Sequence, residues 1–482
     1  MEQPMAFPLD IPSRGRLRAL HGQLRAAILD GRLRAGQALP STRSLAASLD
    51  LSRNTVVAAY DLLLSEGYVS SRHGVGYVVA HAGPTQPGAP RMAAGGERRL
   101  QPRWRDGPSP APLGALPPAR YDLRVGVPDT SRFPFDAWRK LSARALRSFT
   151  GVPATYEGPG GREALREAIA GHVSFTRAVS CSAADVMVTC GAQQAFDLLA
   201  RILVTPGRTL VAVEDPGYPP LSAAFEGMGA NVVPVPVDEE GLIVERIPAD
   251  ARIIYVTPSH QFPSGMAMSP SRRIALLEFA RRHDAVIVED DYDGEFRYGG
   301  RPLDALQTLD RNASVFYVGT FSKSLFPALR LGYLVAPGWA MPALRRVREL
   351  GDRHNDLLAQ DTLALFIAEG HLARHVRKMR RIYAERREAL LDGLARHAGD
   401  ALCPLASDAG LHVAVQLRWP VAANRLVEEA LGKGMRIEAL GNYAIGEAKP
   451  NGLLFGLGGV PATRMEEATR VLGKLLEPHR PS

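Results

Sequence analysis

The chain has 482 residues, 58 Lys+Arg against 50 Asp+Glu (net charge +8) and 46% hydrophobic residues, which is globular composition for roughly two to four domains. Three cysteines (Cys181, Cys190, Cys403) make neither a disulfide framework nor a zinc motif. No apolar run reaches the ~18 residues that span a bilayer, and MEQPMAFPLD lacks a secretory pattern, so secreted and membrane classes are excluded and a cytoplasmic protein is expected.

The charge is unevenly placed. Residues 1–120 hold 15 Arg, no Lys and 8 acidic residues, so nearly all the excess lies in the first quarter. A cationic module on a near-neutral body points to nucleic acid as the polyanionic partner.

In chain order, Leu17, Leu20, Leu24, Ala27 and Ile28 follow helical spacing, with Gly31 as a stop. Ser41 caps a short second helix and Ser52 a third, in which Val56, Ala59, Tyr60, Leu63 and Leu64 share one face. Tyr68–Ser70 and Tyr77–Val79 then flank Arg72-His73-Gly74-Val75-Gly76 as a β-hairpin. This is a winged helix-turn-helix layout over residues 1–80. It puts Arg53, Asn54 and Thr55 at base edges, Arg43 at a phosphate, and His73 and Gly74 at the wing tip.

Residues 81–120 carry 9 Pro and 6 Gly and read as a basic linker. Beyond it, residues 121–482 alternate helices with short apolar strands. The strands are 185–189, 210–213, 253–256, 285–289, 315–318 and 333–335, with helices such as 271–282 between them. The pattern predicts an α/β body with a largely parallel sheet, divided into a large subdomain of about 121–350 and a C-terminal subdomain of about 351–482.

Lysine usage isolates one residue. The chain has 6 lysines, and Lys323 is the sole one between Lys140 and Lys378. An amine can lose its proton and attack an aldehyde, whereas a guanidinium effectively cannot. Ser322 and Arg330 beside it suit a phosphate, as does the helix start at Ala192 and Gln193. Asp290 closes a strand where a carboxylate can hold a pyridinium nitrogen, and Tyr218 offers a ring for stacking. Together these groups match pyridoxal 5′-phosphate (PLP), with Lys323 forming the Schiff base.

The stretches Leu39-Pro40-Ser41-x-Arg43, Leu51-Ser52-Arg53-Asn54-Thr55-Val56 and Glu66-Gly67-Tyr68 resemble the DNA-binding domain of the GntR regulators. By that likeness Arg43, Arg53, Asn54, Thr55, His73 and Gly74 match positions that touch DNA. Residues 121–475 resemble the class I aminotransferases of PLP fold type I, through Tyr156-Glu157-Gly158-Pro159-Gly160-Gly161, Gly191-Ala192-Gln193-Gln194, Pro263-Ser264-Gly265, Asp290-x-Tyr292 and Ser322-Lys323 with Arg330. This resemblance implies that Tyr292 meets the cofactor's phenolic oxygen and that Tyr156 reaches the phosphate of a neighbouring subunit, hence a homodimer with shared sites. Phe262 stands where many of the family have an asparagine, so His260 or Gln261 is the expected substitute. Leu454 stands near the usual carboxylate-binding arginine, leaving Arg436 or Arg124 for an effector.

The order of head, linker and body resembles the MocR family of bacterial regulators. It implies a PLP-binding transcriptional regulator that senses an amine, an amino acid or PLP itself at Lys323 and alters its binding to a double-stranded DNA operator. The alternative is an active aminotransferase with a fused DNA-binding head.

Overall fold

The computed structural model describes residues 8–80, 101, 104, 119–151, 155–299, 303–447 and 449–481. The expected linker 81–120 lies outside the described residues except for Gln101, Trp104, Ala119 and Arg120. The chain forms two compact units, Met1–Pro108 and Ser109–Ser482.

Two serines start the key helices of the first unit. After α1 (Arg16–Leu29), Ser41 Oγ accepts the Ser44 N–H at 3.1 Å and opens α2 (Thr42–Ser48). Ser52 Oγ accepts the Thr55 N–H at 3.1 Å and opens α3 (Arg53–Ser65). Each cap satisfies a donor that the first helical turn leaves orphaned. Leu20, Leu24, Ala27 and Ile28 of α1 pack with Val56, Ala59, Tyr60 and Leu63 of α3 in one core. Leu17 and Leu64, expected on the same faces, are 36% and 39% exposed. Leu17 sits in the terminal turn, and Leu64 is rotated one residue past the buried stripe. Strands β1 (Val69–Arg72) and β2 (Gly76–Val79) pair antiparallel, Arg72 opposite Gly76. Gly74 turns the tip at φ +78°, a value glycine adopts without steric cost.

The second unit opens with β3 (Tyr121–Asp122), α4 (Phe135–Ser148) and α5 (Glu163–Arg177). Then come β4 (Val186–Thr189), α6 (Ala192–Leu203), β5 (Leu210–Asp215), α7 (Pro219–Gly227), β6 (Asn231–Asp238) and β7 (Gly241–Leu242). β8 (Ala251–Val256), α8 (Pro270–His283), β9 (Val286–Asp291), β10 (Val315–Thr320), β11 (Gly332–Val335) and α9 (Met341–Gly351) complete the layer. The sheet order is β4-β11-β10-β9-β8-β5-β6-β7. The run from β10 through β9, β8 and β5 to β6 is parallel, while β11 and β7 are antiparallel to their neighbours.

Alternation along the strands buries both sheet faces. Met187, Tyr255, Val288 and Phe316 pack under α6, α7 and α9. Val186, Val188, Tyr317 and Tyr333 face α5 and the later helix α10 (Leu357–Ala368). Ile254 and Ile287 face α8. All six strands expected from the sequence lie in this sheet; β6 and β7 were not anticipated. In β6 the Asn231 N–H reaches Thr209 O, so residues 231, 233 and 235 turn toward β5. Pro234 and Pro236 turn their N–H-less nitrogens outward.

A long helix α11 (His371–Ala398) leads to β12 (Leu402–Pro404), β13 (His412–Leu417), α12 (Ala423–Gly432), β14 (Met435–Arg436), β15 (Glu438–Ala439), β16 (Gly452–Gly456) and α13 (Ala462–Leu476). Their four-stranded sheet, β12-β13-β16-β15, has its own core. That core also takes Tyr121 and Leu123, and β3 pairs parallel with β14. Meanwhile α10 packs into the large-subdomain core. A division near residue 350 is therefore crossed in both directions, because the start of the body belongs with its end.

Candidate functional site

The carboxyl ends of β4, β5, β8, β9 and β10 converge on one cavity of about 540 Å³. A parallel sheet gathers ligand-binding groups at this edge. Antiparallel β11 adds Arg330, two residues before its start. Of the residues named from the sequence, Ala192, Gln193, Tyr218, Asp290, Tyr292, Ser322, Lys323 and Arg330 line the cavity together.

Lys323 Nζ donates to the Gly126 carbonyl at 2.7 Å. A Cβ at Gly126 would lie 2.7 Å from that nitrogen, so the glycine leaves the amine open. Burial lowers the Lys323 pKa, opposed by the charges of Asp293, Asp290 and Glu438. An amine shifted this way is closer to its nucleophilic, neutral form.

Asp290 is 4% exposed. Its Oδ2 accepts the Tyr255 hydroxyl at 2.8 Å, and its buried Oδ1 has no hydrogen-bond partner. Burial pushes the carboxyl up to about 7, opposed by the Tyr255 hydrogen bond and reinforced by Asp291 and Asp293. A buried acceptor without a donor is costly, and a pyridinium N–H is the donor that Oδ1 lacks.

The phosphate end is built from backbone. Gly191, at φ 75° and ψ 176°, caps α6, and the first N–H groups of α6 form an anion site. The Arg330 guanidinium reaches across to Cys190 O at 2.6 Å from a left-handed backbone at φ 52°. A Cβ at Gly191 would fall 3.2 Å from Arg330 Nη1. The Gln193 side chain is held by Pro220 O at 3.0 Å, so the residue offers its N–H rather than its amide. Thr320 Oγ1 donates to Ser322 Oγ at 3.0 Å. Tyr218 sits edge-on to Phe262, centroids 5.6 Å apart. These features fit PLP: an amine, a partnerless buried carboxylate oxygen, an anion cradle that a Cβ would crowd, and an aromatic wall.

Five residues named for the body do not line the cavity, among them Gln261, whose side-chain amide donates to Pro216 O at 2.8 Å. His260 does not line the cavity. It is buried behind Tyr292, whose hydroxyl is 2.8 Å from His260 Nδ1, because Phe262 takes up the cavity wall at this point. Arg124 and Arg436 do not line it either. Arg124 is held by Asp122 at 2.6 Å, and the same carboxylate lies 3.7 Å from Arg436. Tyr156 is 75% exposed, with the Arg353 guanidinium 4.5 Å from its ring centroid.

Gly126, Tyr255, Phe262, Thr320 and Tyr443 also line the cavity and were missed. Tyr255 and Thr320 carried a usable signal, since each sits at or next to the carboxyl end of a strand. Gly126 and Tyr443 come from irregular segments with no periodicity to read.

In the first unit, Arg53 and Asn54 are exposed at the start of α3, as are Arg43 on α2 and His73 and Gly74 at the wing. Thr55 is partly withdrawn, its hydroxyl 2.8 Å from Ser52 Oγ.

Comparison with known proteins follows this two-part geometry. Residues 18–79 match the gntR family of bacterial regulatory proteins, and residues 121–434 match aminotransferase class I and II. The chain is 37% identical to the probable rhizopine catabolism regulatory protein MocR of Rhizobium meliloti, covering 94% of this chain and 92% of that one. It is 33% identical to the pyridoxine biosynthesis transcriptional regulator PdxR of Corynebacterium glutamicum, with the same coverages. The body resembles the Pyrococcus horikoshii kynurenine aminotransferase in complex with PMP, at TM-score 0.69 and 26% identity over 75% of this chain and 91% of that one.

Head and body thus define a transcriptional regulator with a winged helix-turn-helix and an aminotransferase fold type I domain. The chain belongs to the MocR-type regulators of the GntR family. It is a DNA-binding protein whose cofactor is pyridoxal 5′-phosphate. Among the described residues no helix is long and apolar enough to cross a membrane.

Proposed function

We propose that this regulator acts in the cytoplasm as a homodimer, senses an amine, an amino acid or PLP itself at Lys323, and changes its operator affinity in response. The observation that carries this reading is the joining of a half-buried Lys323, its pKa lowered by desolvation, and the half-partnered Asp290 in one cavity, in a chain whose other unit exposes Arg53 and Asn54 at a helix start.

When bound, the cofactor supplies an electrophilic carbon that amines capture reversibly. The protein's groups do the rest. Lys323 would supply the amine that holds the cofactor. Asp290 Oδ1 would hold the ring nitrogen's proton, while Tyr255 keeps the other oxygen occupied. Tyr218 would lie against the ring, and Tyr292 would offer its hydroxyl to the phenolic oxygen. The α6 start at Ala192 and Gln193, with Ser322 and Arg330, binds the phosphate, and Tyr156 serves the partner's site. Arg53 and Asn54 read base edges, Arg43 binds phosphate, and His73 and Gly74 approach the minor groove. Regulation then requires only that effector and operator favour different states of the protein.

The test is operator binding with PLP bound, with and without a panel of amines. At least one amine should change the affinity of the wild type and none that of Lys323→Ala. A Lys323→Ala protein that responds like wild type would overturn the reading. Sustained keto-acid production over many turnovers would favour the aminotransferase instead.

A further inference from the structure

Behind the cavity lies a polar cluster to which this function assigns no role. His260 and Asp293 are 2% and 1% exposed. His260 Nδ1 is 3.1 Å from both carboxylate oxygens of Asp293 and 2.8 Å from the Tyr292 hydroxyl. His260 Nε2 is buried with no hydrogen-bond partner. On the far side, Asp293 Oδ2 accepts the Leu411 N–H at 3.1 Å.

We propose that His260 and Asp293 form a positioning dyad that turns the phenolic hydrogen of Tyr292 into the cavity and ties that orientation to the C-terminal subdomain through Leu411. The tautomer follows from the contacts. A hydrogen on Nε2 would be a buried donor with no acceptor, and it would leave the Nδ1 lone pair facing a carboxylate. A hydrogen on Nδ1 is shared between the carboxylate and the Tyr292 oxygen, and it leaves only an unpaired acceptor at Nε2, the more tolerable orphan. With Nδ1–H aimed at it, the Tyr292 oxygen accepts, and its own hydrogen turns toward the cavity.

The C-terminal subdomain holds the ring in place. A Cβ at Gly410, where φ is +85°, would fall 1.9 Å from His260 Cε1, so the 410 backbone lies flat against the imidazole. The His412 ring is 5.0 Å from the His260 ring, and its Nε2 donates to Pro263 O at 2.8 Å. Burial, then the neighbouring His260, lowers His412 to about 4, so it adds no charge near neutral pH. Of the charges near Lys323, Asp293 does most to oppose the effect of burial on the amine. The dyad therefore acts on both reactive groups of the cavity: His260 contacts the Tyr292 hydroxyl, and the Asp293 carboxylate acts on Lys323 through its charge.

The spectroscopic arm rests on PLP binding at Lys323; the exchange arm does not. Full-length wild type, Tyr292→Phe, His260→Leu, His260→Asn and the Tyr292→Phe/His260→Leu double variant are loaded with PLP, and the visible band is titrated with pH. The dyad requires His260→Leu to move the midpoint in the same direction as Tyr292→Phe. The double variant should move it no further than Tyr292→Phe alone, and His260→Asn, whose amide N–H stands in for Nδ1–H, should restore it. Separately, in ligand-free protein, Asp293→Ala should speed hydrogen exchange at Leu411 while the adjoining strand β13 keeps its protection. A wild-type midpoint in His260→Leu, additive shifts in the double variant, or unchanged exchange at Leu411 each overturns the dyad. A wild type without any band refutes cofactor binding instead, and the exchange measurement then decides the dyad alone.

Discussion

Tyr255 donates its hydroxyl hydrogen to Asp290 Oδ2 at 2.8 Å and leaves Oδ1 bare. The carboxylate is thus fixed by one oxygen and available by the other. Hydrogen bonds to charged groups contribute about 1.5–3 kcal/mol. Tyr255→Phe should therefore weaken PLP binding by about tenfold or more and raise the Asp290 pKa further. Equilibrium titration of the ligand-free protein with PLP measures the first effect.

The raised Asp290 pKa has a consequence for stability. A carboxyl at about 7 in the folded protein and about 3.9 unfolded binds more protons when folded across that window. Its contribution to stability therefore falls as pH rises from about 4 to 7. Asp290→Asn removes this contribution. Thermal melts of ligand-free protein should show the variant gaining on wild type as pH climbs from 5 to 8. A pH-independent difference would mean that Asp290 is ionised throughout.

Gly191→Ala tests the phosphate cradle. Its φ of 75° with ψ of 176° belongs to a region used almost only by glycine, and a side chain there costs about 1–3 kcal/mol. The added methyl also meets Arg330 Nη1 at 3.2 Å. The expected result is a lower Tm together with PLP affinity reduced about tenfold, which is ~1.4 kcal/mol and falls within that cost. Calorimetry and cofactor titration separate the two.

In the head, Ser52→Ala removes the α3 cap at 3.1 Å and should cost about 1 kcal/mol of stability. Arg53→Ala should leave stability unchanged within ~0.5 kcal/mol and abolish discrimination between operator and random DNA. Arg43→Ala should weaken both DNAs alike and flatten the salt dependence. Equal loss on both DNAs for Arg53→Ala would show that it binds phosphate instead.

The head was legible because caps and apolar periodicity are local: Ser41, Ser52 and the Val56–Leu63 stripe act within a few residues. Lys323, Asp290 and Arg330 were legible because chemistry demanded those residue types at strand ends. His260 was misplaced by one layer, since sequence spacing brings it near Tyr292 without saying that Phe262 takes the wall. Arg124 and Arg436 were assigned to an effector, but Asp122, only two residues before Arg124, lies against both guanidinium groups. The strand β6 was missed because two prolines in NVVPVPVD read as a break. They are tolerated because their nitrogens face away from the β5 ladder, on the side where β7 pairs only with Val237 and Asp238.

Those outward prolines also govern how copies of the protein meet. An open edge strand is a template on which another chain can add by backbone pairing. β7 pairs with β6 only at Val237 and Asp238, and ahead of that pairing Pro234 and Pro236 withhold two successive donors, so a second molecule finds no continuous ladder to extend. The sheet is thereby guarded against polymerisation along this side, and replacing both prolines with valine would restore the donors that such pairing needs.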